Sequence, residues 1–137
     1  MNMVIDLRRP DLRTVEPGTT VITTKDGVFQ LLSRIDGKES WKDQKTGLTW
    51  HDVEDKKFSY YEAVEKFGDR IPTKEEFEEA EKHGFREVLP NMENRWFWSA
   101  SVNAGNTGYA YYFYGRYGYI GYDVRNDEEA VRCVGRR

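Results

Sequence analysis

The stretch "GYAYYFYGRYGYIGY", residues 108 to 122, holds seven of the nine tyrosines of a 137-residue chain, together with Phe113. Large rings dominate the burial energetics wherever they sit, so the placement of this run sets both fold and function. "YAYYFY" and "YGYIGY" alternate as strands do. Between them Gly115 and Arg116 suit a two-residue type II′ turn. That turn predicts pairing of 114 with 117, 112 with 119 and 110 with 121. Side chains alternate along each strand, so one face carries Tyr109, Tyr111, Phe113, Gly118, Ile120 and Tyr122. The other carries Ala110, Tyr112, Tyr114, Tyr117, Tyr119 and Gly121. Phe113 and Ile120 mark the first face as the core side. The second face is a plaque of four tyrosines. Such a plaque serves as a ligand surface, as a subunit interface, or as ordinary cross-strand packing.

Outward from this hairpin, the rest of the chain reads as an α+β domain: two helices packed on a mostly antiparallel sheet, with long ordered loops. Residues 1–20, with Pro10, Pro17 and Gly18, read as an arm or linker, whose Val4, Ile5, Leu7 and Leu12 could dock on the body or a neighbouring subunit. The domain proper spans 21–137. "TTVITT" and "VFQLLSRI" are strands joined by an Asp26-Gly27 turn, and Thr46-Gly47 turns the chain into the apolar run Leu48–Val53. Ser59 with Glu62, and Thr73 with Glu76, form capping boxes at two helix starts. Tyr60, Ala63, Val64 and Phe67 share one face of the first helix, which Gly68 ends; Phe77 and Ala80 lie on the second, which Gly84 ends. "REVLPNMENRWFWSASVNAGNTG" reads as a long irregular stretch, and "AVRCVG" as a last strand.

Composition excludes several functions. With 21 basic and 24 acidic residues the net charge is −3, which argues against nucleic acid as a partner. No segment has the apolar length of a secretory signal or a membrane span, so the chain reads as soluble with no membrane insertion. His51 and His83 sit in no catalytic motif, and no Cys/His spacing suits zinc; His83 reads as a last-turn residue favoured by the helix dipole. Glu75, Glu76, Glu78, Glu79 and Glu81 read as a solvated helix face. Asp123, Asn126, Asp127 and Glu128 are hard oxygen donors, but they lack the EF-hand spacing and read as a polar turn rather than a calcium site. No metal, cofactor or catalytic residue is expected.

"DQKTGLTW" (43–50), "RIPTKEEFEEA" (70–80), "WFWSAS" (96–101), the tyrosine hairpin and "AVRCVGR" (130–136) follow one another in an order that resembles the bacterial domain at the C-terminus of Lcl-type collagen-like adhesins, the major paralogous domain. The resemblance implies a C-type-lectin-like fold, near formylglycine-generating-enzyme domains and the variable proteins of diversity-generating retroelements. It implies display of a Tyr- and Asn-rich hairpin region toward a protein or glycan ligand, and a homotrimer as in the adhesins. Trp50, Trp98 and Cys133 would be core, and Pro72 and Thr73 would start the second helix. The expected ligand-binding residues are Tyr112, Tyr114, Tyr117, Tyr119, Asn103, Asn106 and Arg116. The alternatives are an assembly module such as a fibre-tip subunit and an enzyme of the formylglycine-generating kind. The latter needs a cysteine pair, and Cys133 is the single cysteine.

Overall fold

The computed structural model describes residues 3–5, 20–102, 105 and 108–136. Among them the chain forms β1 (Met3–Ile5), β2 (Thr20–Thr23), β3 (Val28–Ile35), β4 (Lys38–Asp43), β5 (Thr49–Val53), β6 (Phe58–Ser59) and the helix α1 (Tyr60–Phe67). Then follow α2 (Lys74–Lys82), β7 (Trp96–Val102), β8 (Tyr109–Tyr114), β9 (Tyr119–Val124), β10 (Glu128–Glu129) and β11 (Arg132–Gly135). The architecture is α+β. One sheet runs β1-β2-β3-β4-β5-β11, a second β7-β8-β9, and β10 pairs with β6. Every pairing of named strands is antiparallel except β1 on β2. The arm therefore starts as an edge strand, while Leu7 and Leu12 lie outside the described residues.

Both helices begin where their capping boxes place them. Glu62 and Glu76 donate backbone N–H to Ser59 Oγ (3.2 Å) and Thr73 Oγ1 (3.1 Å), and their carboxylates accept the cap residues' own N–H groups. Tyr60, Ala63 and Phe67 are buried, but Val64 is exposed, because the face covered on an eight-residue helix is narrow. His83 does more than close α2. Its Nδ1 lies 2.7 Å from buried Asp43 Oδ2, which ties the helix end to β4. Gly84 follows in the left-handed region (φ 83°), as a helix stop does. Glu75, Glu78 and Glu79 face solvent, whereas Glu76 and Glu81 pair with Arg136 and Arg86.

The "WFWSAS" segment, expected to be irregular, is a strand. Bulky rings fit a pleated, half-buried surface, and β7 supplies three consecutive rings to two layers. Phe97 joins the larger core, with Trp41, Trp50, Phe77, Phe85 and Phe113. Trp98 joins a second core, with Phe58, Tyr60, Phe67, Ile71 and Cys133, and donates Nε1–H to Phe58 O at 2.8 Å. The three-stranded sheet thus lies between two cores.

Candidate functional site

β8 and β9 are joined by four residues, 115–118, and not by two. Tyr114 pairs with Tyr119, Tyr112 with Gly121 and Ala110 with Asp123. The expected register is off by two places, a full side-chain period, so the strand residues keep the faces assigned to them. Tyr117 and Gly118 leave the expected strand and sit in the turn. A four-residue turn is favoured because Gly118 takes φ 77°, a conformation open to glycine, and Tyr114 O accepts the Gly118 N–H at 2.8 Å.

The inward face is core where Phe113 and Ile120 stand. Phe113 is fully buried and stacks on Phe77 at 5.0 Å, nearly parallel. Tyr122, on the same face, is exposed and meets Tyr109 edge-on at 5.4 Å. Tyr111 is covered by Lys74 Nζ at 4.8 Å.

The outward face is divided. Ala110 and Tyr112 pack against the second core, so Tyr112 does not belong to an open plaque. Its ring lies across Gly121, where a Cβ would come within 2.6 Å of its Oη. Burial raises the pKa of its phenol. Beyond it the rings interlock into a ridge. Trp96 stacks face to face on half-buried Tyr114 (4.5 Å, 4° between planes), and Tyr117 and Tyr119 meet Tyr114 edge-on at 5.5 and 5.4 Å. Tyr117 is 63% exposed and Tyr119 48%. The Arg116 guanidinium sits over the Tyr117 ring at 5.3 Å. Trp96 was not expected here. Its signal lay in "WFW" being a strand paired to β8, which places Trp96 opposite Tyr114.

The ridge is held from below by the segment 86–96. Gly115 N–H donates to Arg95 O (2.9 Å) and Arg86 Nη1 to Arg116 O (2.8 Å). Arg116 Nη1 reaches Asn94 Oδ1 at 3.4 Å. A Cβ on Gly115 would strike the Met92 carbonyl, 2.8 Å from its carbon, so only glycine lets the turn seat there. That segment is anchored to the main sheet by Asn91 Nδ2, which donates to Asp52 Oδ1 (2.9 Å), and by fully buried Arg132, which donates to His51 O and Pro90 O. Beside the turn lies a cleft of about 520 Å³ lined in part by Arg86, Asn91, Arg95, Gly115 and Arg116.

Asn103 and Asn106 lie outside the described residues. At the far end of the outward face, Asp123, Asp127 and buried Glu129 gather. Burial, then hydrogen bonding to Asp123, pushes the Glu129 carboxyl up to about 8. The same hydrogen bond holds Asp123 below the usual carboxylate range, and Asp127 is raised by Asp123. The turn residues therefore share protons among themselves. Glu129, flanked in sequence by ordinary turn acids, was not singled out.

A second cleft, about 630 Å³, shares no residue with the ridge; Lys38, Ser40, His51, Arg70, Cys133 and Arg136 help to line it. Its polar groups are engaged. His51 Nδ1 is 2.9 Å from Ser40 Oγ, Lys38 bonds Val53 O and Asp55, and Arg136 is paired with Glu76. Burial pushes the Cys133 thiol up to about 11 and the His51 imidazole below its ordinary value, the reverse of an activated thiolate–imidazolium pair. No group of three or more His, Cys, Asp or Glu residues among those described is arranged to hold a metal ion. No helix among the described residues is long and apolar enough to cross a membrane. Comparison with protein-family profiles, with curated proteins and with solved structures finds no match to this chain.

Proposed function

We propose that this chain is a non-enzymatic recognition module of C-type-lectin-like fold, related to the C-terminal domain of Lcl-type adhesins, that binds a protein or a glycan through the Trp96–Tyr114–Tyr117–Tyr119 ridge and Arg116. One observation carries the reading: exposed rings stand on a turn whose backbone is fixed by close packing at Gly115. Tyrosine and tryptophan offer large amphipathic contact area at little rotamer cost, and buried aromatic and arginine anchors supply most of the energy in binding hot spots. Preorganisation lowers the ordering cost that association must overcome. The enzyme reading has less support, because the single cysteine is buried and its pKa is raised.

The test is a glycan array and a cell-surface protein array probed with the wild type and with Tyr117→Ala/Tyr119→Ala. Binding that disappears in the double variant supports the ridge as the site. Ligand capture unaffected by the two substitutions moves the site elsewhere on the molecule.

A further inference from the structure

Among the described residues the ridge sheet has one open edge. On β7 the outer edge is closed by Ala130, which accepts the Trp98 N–H (3.0 Å) and donates to Trp96 O (2.9 Å). On β9 it is not. Arg125 N–H donates to Gly108 O, so residues 119, 121 and 123 turn their backbone groups toward β8, and 120, 122 and 124 turn theirs outward. Val124 is closed off locally: its N–H reaches Asp123 Oδ1 at 2.7 Å and its O accepts the Asp127 N–H at 3.1 Å. Ile120 and Tyr122 have no hydrogen-bond partner for their outward N–H and C=O groups among the described residues. Open edges are usually blunted by lysine, proline or a bulge, and Tyr119–Val124 contains none of these.

We infer that β9 pairs antiparallel with β9 of a second copy of this chain, about a two-fold axis at Gly121. Two open residues separated by one closed residue match their own copy in one antiparallel register. Ile120 then exchanges both hydrogen bonds with Tyr122 of the second copy, and Tyr122 with its Ile120. Nothing is asked of Val124. In that register Gly121 faces Gly121 as a close pair that has no side chains to collide, leaving each Tyr112 ring where it lies. Tyr119 stands opposite Asp123 of the second copy, a phenol donor against a carboxylate acceptor. The two-fold axis is normal to the sheet, so both ridges emerge on the same side of one six-stranded sheet. The second copy thereby extends the recognition face. The pairing itself depends only on the β9 edge, and stands or falls independently of what the ridge binds.

Sedimentation of the full chain over roughly 1 to 500 µM tests it, because a two-residue contact makes a concentration-dependent dimer. The expected mass climbs from 16.1 kDa toward twice that value. Tyr122→Pro removes one outward N–H and leaves the ladder to β8 intact; it should weaken the dimer at least about tenfold. A monomer at every concentration, a trimer, or a dimer unaltered by Tyr122→Pro overturns the proposal. Should that variant fail to fold, amide exchange in the wild type decides. The Ile120 and Tyr122 amides should slow as concentration rises, and exchange that is independent of concentration overturns the pairing.

Discussion

Two aromatic clusters of nearly the same internal geometry occupy opposite faces of β7–β9. In the inner one Phe77 stacks on Phe113 at 5.0 Å, with Phe85 5.2 Å from Phe113 and Trp50 5.3 Å from Phe77, and all four rings are fully buried. In the outer one Trp96 stacks on Tyr114 at 4.5 Å, with two more rings within 5.5 Å, and water reaches its rim. Ring spacing therefore does not distinguish core from surface. What lies over the rings does: α2 and the 85–89 segment cover the first cluster, while Tyr117 and Tyr119 leave the second exposed. The largest expected effect follows from that contrast. Phe113→Ala should cost about 3–5 kcal/mol by cavity formation, read as a shift of the denaturation midpoint. A loss below about 1 kcal/mol would place the core elsewhere.

Between the two clusters, Gly115 decides how the outer one is aimed. A methyl group there meets the Met92 backbone rather than the end of a flexible side chain, so the turn must lift off its bed. Gly115→Ala should destabilise by about 1–3 kcal/mol as overpacking does. It should also reduce the stacking of Trp96 on Tyr114, visible in near-ultraviolet dichroism. An unchanged aromatic spectrum would mean that the ridge is not positioned by its turn.

These effects show where the sequence was legible and where it was not. The capping boxes at Ser59 and Thr73 are local patterns, and both helices start where they predict. The face assignment survived a mistaken turn because a slip of two residues leaves side-chain parity intact. Turn length was less readable: Gly115 and Gly118 both permit turn geometries, and only the seating of Gly115 on Met92, a long-range contact, selects four residues. Trp96 was hidden for the same reason, since its role depends on pairing with Tyr114, eighteen positions further along the chain. The division of the tyrosine face needed tertiary information as well. Nothing local tells Tyr112, which packs against the second core, from Tyr119.

The outward face also differs between its two ends, and pH separates them. The ridge end is built of rings and Arg116, whereas the other end holds Glu129 protonated against Asp123. The folded-state pKa of Glu129 is raised from 4.5 to about 8, so the unfolded chain releases this proton first. Its contribution therefore becomes increasingly destabilising as pH climbs from about 4.5 to 8. Glu129→Gln keeps a donor for Asp123 and removes that cost. The variant should be more stable than wild type by about 1–2 kcal/mol at pH 8, less than the full shift because relaxation and water entry offset part of it. The gain should vanish toward pH 4. A gain independent of pH would contradict the shared proton.

The smallest expected effect on stability is also the sharpest test of the comparison. Tyr117 sits in the turn at 63% exposure and Tyr119 on the edge strand at 48%, and each touches Tyr114 only edge-on. Removing both rings forfeits two edge contacts worth about 0.5–1.5 kcal/mol each when buried, and less here, where water already reaches them. Tyr117→Ala/Tyr119→Ala should thus shift the melting temperature by no more than a few degrees, while Phe113→Ala shifts it far more. If the double variant were as unstable as Phe113→Ala, the outer cluster would be a second core and the exposed rim incidental. A small stability change with complete loss of ligand capture would instead mean that these two rings are kept for contact with a partner, since the fold needs neither.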